Sequence, residues 1–277
     1  MRPRSLVIDL YGNYIRYRGG GASVQALVEL LACFGVAEKT ARVTLSRLKR
    51  QGWLETRREA RSSTYHLTSH GLRELDEGRE RIFARHGTEP WDGTWSMVIY
   101  HVPETERQVR QWLRTRLQWL GFGPLAPATW ISPHPRLGEL QEAMAAAGVE
   151  AQVDLLSSST GDPARDRELA RRCWDLDEVA AAYEGFVDRY QPKVARYERG
   201  EYVGMSALVE QVRLVHEYRK FPFLDPDLPQ ELLTPDWVGT TAHTVFLQGY
   251  ELLRKPALAF FDACDQGLVG QPTDASG

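Results

Sequence analysis

The chain has 277 residues, with 34 Lys and Arg against 37 Asp and Glu and an apolar share close to the soluble average. That length can bury more than one core, and no run approaches the roughly 20 apolar residues needed to span a bilayer. The early charges of MRPRSLVIDLYGNYIRYR argue against a secretory leader, so a cytoplasmic location without a membrane partner is expected.

Three cysteines, Cys33, Cys173 and Cys264, form no C-x-x-C pair, which speaks against a disulfide framework or a thiolate zinc site. Cys33 lies in an apolar helical pattern and reads as a small buried hydrophobe. Charge is unevenly spread. Residues 1–86 hold 16 Lys/Arg and 9 Asp/Glu, net +7, and the remainder holds 18 and 28, net −10. A cationic front on an acidic body points to a polyanionic partner for the front.

In chain order, SLVIDLYGNYIRY spaces Leu6, Leu10, Tyr14 and Tyr17 as one helix. RGGG reads as a flexible turn, and ASVQALVELLACF repeats the helical pattern with Val24, Leu27, Leu31 and Phe34 until Gly35 ends it. A third helix starts near Glu38, where Ala37 offers no capping oxygen, and stops at Gly52. WLETRR and STYHL flank EARS as a hairpin. Three helices and a hairpin predict a winged helix-turn-helix, followed by an exit helix over 69–84; together they form a first domain, 1–87.

TWSMVIYHV is apolar on both faces, as a central strand is. A helix with Val109, Trp112, Leu113, Leu117 and Leu120 on one stripe follows, then two short strands, a second helix and the alternating strand VEAQVDLL. This β-α-β-β-α-β order predicts a ferredoxin-like domain over 91–158. From Asp162 as N-cap and Pro163 at the first helical position, residues 161–268 read as a helical effector or dimerisation domain. Its Pro-rich stretch FPFLDPDLPQELLTPDW excludes a continuous helix. Residues 269–277 read as a disordered tail. The fold class is α+β.

The third helix carries five cations between Lys39 and Arg50 and no acid. On a helical wheel Ala41, Leu45 and Leu48 share the packed face; Lys39, Val43, Ser46, Arg47 and Arg50 lie opposite, with Arg42 on the flank. Arginine can read guanine edges bidentately and lysine meets phosphate, so this face suits the major groove of double-stranded DNA. Arg57, Arg58 and Arg61 of the hairpin suit the neighbouring backbone or the minor groove. The absence of acids at i, i+4 spacing argues against a merely solvated charged face.

The blocks YGNYIR, FGVAEKTARVTLSRLKRQGWL, WDGTWSMVIYHVPE, WLGFGPLAPATWISPHP, RCWDLDE and VHEYRKFPFLDPDLPQELLTPDW, in this order, resemble the phenylacetic acid degradation repressor family, PaaX. The resemblance implies a homodimeric bacterial repressor of aromatic catabolism genes, released from its operator by an aryl-CoA thioester, typically phenylacetyl-CoA. It implies no resident cofactor. Such an effector needs cations for its phosphates beside an apolar slot, and His216, Arg219 and Lys220, next to Phe221 and Phe223, are the candidates.

The middle segment also resembles the small ferredoxin-like CRISPR-associated nucleases, which carry an aspartate at the end of the first strand. Here that position is His101, a poor magnesium ligand, so no catalytic or metal residue is assigned. A metal-dependent nuclease and a protein adaptor without DNA remain as rivals. VHEYRKF lacks the second histidine of a zincin helix, although His243 could approach His216.

Overall fold

The computed structural model describes residues 1–59, 62–83 and 90–265. Arg61 and the expected tail lie outside these residues, as does the last residue of the expected exit helix, Ala84. The chain forms two compact units. One comprises Met1–Phe83, Gly185–Lys220 and the described residues from Thr240 on; the other comprises the described residues to Glu184 together with Phe221–Gly239. The helical segment expected to stand alone over 161–268 is therefore divided between them.

In the first unit, α1 spans Pro3–Asn13 and opens with proline, whose fixed φ and missing N–H suit a first turn. It buries Leu6, Val7, Leu10 and Tyr11, each fully buried side chain contributing about 1.5–3 kcal/mol. The helix does not run on to Tyr17 as its spacing suggested. It ends at Asn13, a short 3-10 turn follows, and Tyr17 is 51 % exposed. Nor is RGGG merely a turn. Gly19 and Gly20 adopt positive φ, and Gly21–Ser23 is a strand, β1. A Cβ on Gly21 would lie 2.1 Å from the His66 ring, so any side chain here would require that imidazole to shift.

Ser23 caps α2, Val24–Ala32, by accepting from the Ala26 amide at 3.0 Å. Cys33, just beyond, is half-buried rather than enclosed. α3, Glu38–Arg50, has no side-chain cap at Ala37, as the sequence indicated. Strands β2, Leu54–Glu59, and β3, Ser62–Leu67, pair antiparallel, and β1 adds to β3 to give the order β1-β3-β2. α4, Ser69–Phe83, starts where the Thr68 hydroxyl accepts from the Gly71 amide.

The second unit holds the predicted β-α-β-β-α-β order: β4 Trp95–His101, α5 Arg107–Trp119, β5 Gly123–Ala126, β6 Thr129–Ser132, α6 Leu137–Ala147 and β7 Gln152–Ser158. The antiparallel sheet runs β5-β6-β4-β7 and places the doubly apolar strand inside. Alternation sends Val98 and Tyr100 into a core with Leu113, Leu117, Trp130 and Leu140. Trp95 and Met97 point the other way, onto Ala170, Cys173, Leu228 and Leu232. That second face is covered by α7, Pro163–Cys173, capped by Asp162 as expected, and by the Pro-rich stretch. Inside it, Asp166 accepts from the Trp95 indole at 2.8 Å.

α8, Leu176–Glu198, and α10, Val238–Asp265, each have residues in both units, whereas α9, Met205–Tyr218, lies wholly in the first. There α9 packs on α1. Tyr14 stacks on Phe261 and its hydroxyl donates to Gln211, while the Gln211 amide donates to the Tyr250 carbonyl at 3.0 Å. Arg18 holds Asp262 with two hydrogen bonds, at 3.0 and 2.9 Å. The N-terminal helices and the late helices α9 and α10 therefore share one core.

Candidate nucleic-acid interface

Ala41, Leu45 and Leu48 anchor α3, and this fixes which side chains it turns outward. Lys39, Arg42, Val43, Ser46, Arg47 and Arg50 are all exposed, Val43 at 45 %. Among the described residues, Lys39, Arg47 and Arg50 have no ion pair or hydrogen-bond partner from a side chain. Arg47, Lys49 and Arg50 also lie in the last turn, where cations favour the helix dipole.

One expectation needs correction. Arg42 does have an acidic partner: its Nε donates to Glu38 Oε1, one turn earlier, at 2.8 Å. Glu38 lies just outside the stretch counted from Lys39, and a favoured first-turn acid four residues before an arginine pairs readily. Arg42 is thus partly neutralised, and among the described residues Lys39, Arg47 and Arg50 are left without an acidic partner on that face.

On the hairpin, Arg57 is exposed but donates to Glu55 at 2.8 Å. The backbone of Arg58 pairs with Ser63 in β3, and Arg61 lies outside the described residues. Arg4 was missed. From α1 it donates to Gln51 Oε1 at 3.4 Å and stacks over the Trp53 ring at 5.5 Å, which brings a further cation to the C-terminal end of α3. No periodicity in α1 would have revealed it, because the contact is made across 47 residues.

The three effector candidates occupy different surroundings. His216 Nδ1 lies 2.9 Å from Asp9 Oδ2, and Arg219 Nε lies 3.2 Å from Asp9 Oδ1. The Asp9 side chain is only 3 % exposed. Burial pushes its carboxyl above the ordinary 3.8, opposed first by the His216 hydrogen bond and then by the Arg219 charge. His216 and Arg219 thus hold a buried carboxylate at the α1–α9 contact. Lys220 is exposed. His243 Nδ1 meets the Tyr218 hydroxyl at 2.9 Å. Phe221 is buried against Tyr183 and Phe223 is 74 % exposed, both in the second unit. Asp9 was legible only as an acid interrupting an apolar helix face.

His101 ends β4 in register with Gln152 and is exposed. Among the described residues, no group of three or more His, Cys, Asp or Glu side chains is placed to hold a metal ion. Among the same residues, no helix is long and apolar enough to cross a membrane. A cleft of about 760 Å³ in the second unit contains Arg171, Arg172, Trp174 and Trp237 beside Asp177 and Glu184, and none of the three effector candidates.

Comparison with known proteins covers nearly the whole chain. Residues 2–71 match the PaaX-like protein family, residues 88–170 the PaaX protein central Cas2-like domain, and residues 174–263 the PaaX-like protein C-terminal domain. The transcriptional repressor PaaX of Escherichia coli K12 is 33 % identical over 276 residues, covering 96 % of this chain and 85 % of that protein. A solved structure, the uncharacterized protein Rv0674 from Mycobacterium tuberculosis, shares the fold with a TM-score of 0.64 at 24 % identity, over 94 % of this chain and 97 % of that one. These matches, in the order the sequence blocks gave, establish that the chain belongs to the PaaX family.

Proposed function

We propose that this protein is a DNA-binding transcriptional repressor of genes for the breakdown of a phenylacetate-type aromatic acid. In this reading it is not an enzyme. The observation that carries it is the outward face of α3, where Lys39, Arg47 and Arg50 stand exposed without acidic partners among the described residues, on a helix whose opposite face is fully packed. Nucleic-acid phosphates and guanine edges are the groups that such a face satisfies. The N-terminal module acts as a winged helix with α3 in the major groove and the β2–β3 hairpin on the backbone beside it. The relative from E. coli, a transcriptional repressor by name, supports the same reading.

The repressor acts as a homodimer and leaves its operator on binding an aryl-CoA thioester such as phenylacetyl-CoA. Ligand would favour a dimer geometry whose two α3 helices no longer match half-sites about one helical turn apart. Lys220 remains a candidate for a ligand phosphate, while His216 and Arg219 enter as positioning residues through Asp9.

The test is a gel shift against DNA upstream of the protein's own gene, with and without phenylacetyl-CoA. A sequence-selective complex dissolved by the thioester is expected. A complex that random DNA competes away equally would overturn the assignment.

A further inference from the structure

The chain beyond residue 86 is acidic by ten charges, yet α5 carries four arginines and no acid in 13 residues. Its buried face is Leu113 and Leu117, with Val109 against the same core. The exposed residues are Arg107, Gln108, Gln111, Arg114, Thr115, Gln118 and Trp119. Every polar group there is a cation, an amide or a hydroxyl. A solvated helix face ordinarily interleaves acids with its bases. α8 does so, its sequence placing Asp177, Glu178, Glu184, Asp188 and Glu198 among Arg189, Lys193 and Arg196.

Two of the arginines are engaged. Arg110 reaches Glu104, in the loop before the helix, at 3.9 Å, and Arg116 lies over the Trp119 ring at 4.3 Å. Arg107 and Arg114 have no side-chain partner among the described residues, and their spacing of seven puts them two turns apart, about 10 Å along one stripe. Trp119 is 44 % exposed, with the Arg116 guanidinium over its ring.

From this face we infer that α5 is a second DNA-contact surface, which binds the sugar–phosphate backbone through Arg107 and Arg114 with Gln111 and Gln118 beside them. The inference rests on the proposed operator binding and adds a contact from the second unit. The face fits phosphate because a row of guanidinium and amide donors satisfies anionic oxygens without reading bases. Its contribution is sequence-independent and salt-dependent, and it is assigned to DNA outside the bases that α3 reads.

The experiment uses the full-length protein and two duplexes, the operator trimmed to its half-sites and the same operator extended by about two helical turns on each side. Affinity is measured across a salt series for the wild type, the double variant Arg107→Gln/Arg114→Gln, the double variant Arg107→Lys/Arg114→Lys, and Arg47→Ala. The Gln variant should lose affinity for the extended duplex by about tenfold and flatten its salt slope by about 1.8, the share of two phosphate contacts, while trimmed-duplex binding stays unchanged. The Lys variant should keep most of the extended-duplex affinity, since charge suffices at phosphate. An unchanged extended-duplex affinity and slope in the Gln variant would overturn the inference, as would equal wild-type affinity for both duplexes. Should Arg47→Ala bind like wild type while the extension effect still depends on Arg107 and Arg114, the assignment of α3 fails and the α5 surface stands.

Discussion

Two groups of cations stand out in the sequence, one on α3 and one at the end of α9, and the structure treats them oppositely. Arg47 and Arg50 point away from the core with no counter-charge among the described residues, whereas Arg219 and His216 fold back on a carboxylate that is almost wholly buried. The same residue types thus supply an unsatisfied surface in one place and a satisfied internal joint in the other. A cation marks a ligand site only where its own fold has not already neutralised it, and burial of the partner is the property that separates the two cases.

The largest effect expected from this contrast is on stability. Asp9→Ala leaves Arg219 and His216 facing a void, and removing one member of a buried charged set typically costs about 3–5 kcal/mol. Partial exposure of Arg219, at 24 %, puts the expected loss near the lower end, at about 3 kcal/mol. Urea unfolding should show that loss, with little or none for Asp9→Asn, which keeps an acceptor for the guanidinium and buries no charge. A stability unchanged in Asp9→Ala would show that the α1–α9 contact does not depend on this joint.

On α3 the effect should appear in binding and not in folding. Arg47→Ala should weaken operator binding by roughly 1–3 kcal/mol and relax base preference at one position, with unfolding changed by less than about 0.5 kcal/mol. Equal losses on operator and random DNA would reduce Arg47 to a phosphate contact. Both mutations measured by both methods give a crossed pattern, and any variant that moves in both assays blurs the distinction between the two cation groups.

The joint also predicts a pH dependence. Burial raises the Asp9 carboxyl above 3.8, so the native state holds that proton more tightly than the unfolded chain does. The stability contributed by this group is fully present below pH 3.8 and is lost as the pH rises through the raised native value. His216 and Arg219 face the carboxyl from α9 and limit the loss without abolishing it. Asp9→Asn should remove this segment of the stability-versus-pH curve. A wild-type curve that instead gains stability through the same interval from this residue would show that His216 and Arg219 outweigh the burial.

What could be read from sequence follows the same division between local and distant causes. The strands of the second unit, the packed stripe of α5 and the Asp162 cap were legible because alternation, helical spacing and capping chemistry act over a few residues. The outward face of α3 was legible for the same reason. Three things were not. The pairing of Gly21 with His66 in β3 depends on a strand 45 residues away. The sharing of α9 and α10 with the N-terminal helices depends on contacts such as Tyr14 with Gln211 and Arg18 with Asp262, separated by some two hundred residues. The Asp9 partner of His216 and Arg219 was the third, because an Arg-Lys pair beside aromatic residues describes a phosphate pocket and a buried ion pair equally well until Asp9 is placed.

The smallest effect tests the one cation on α3 that the fold has partly claimed. Glu38 and Arg42 form an exposed pair one turn apart, and such pairs add only about 0.3–0.5 kcal/mol to a helix. Glu38→Gln should cost little stability. It frees the Arg42 guanidinium and removes a negative charge beside the face that meets phosphate. DNA affinity should therefore rise by a few-fold at low salt, and the gain should shrink as salt screens it. Arg42→Ala should weaken binding less than Arg47→Ala does, because the paired arginine must first give up Glu38. If Glu38→Gln weakens binding instead, the pair serves to hold Arg42 in a productive rotamer, and Arg42 joins Arg47 as a groove contact.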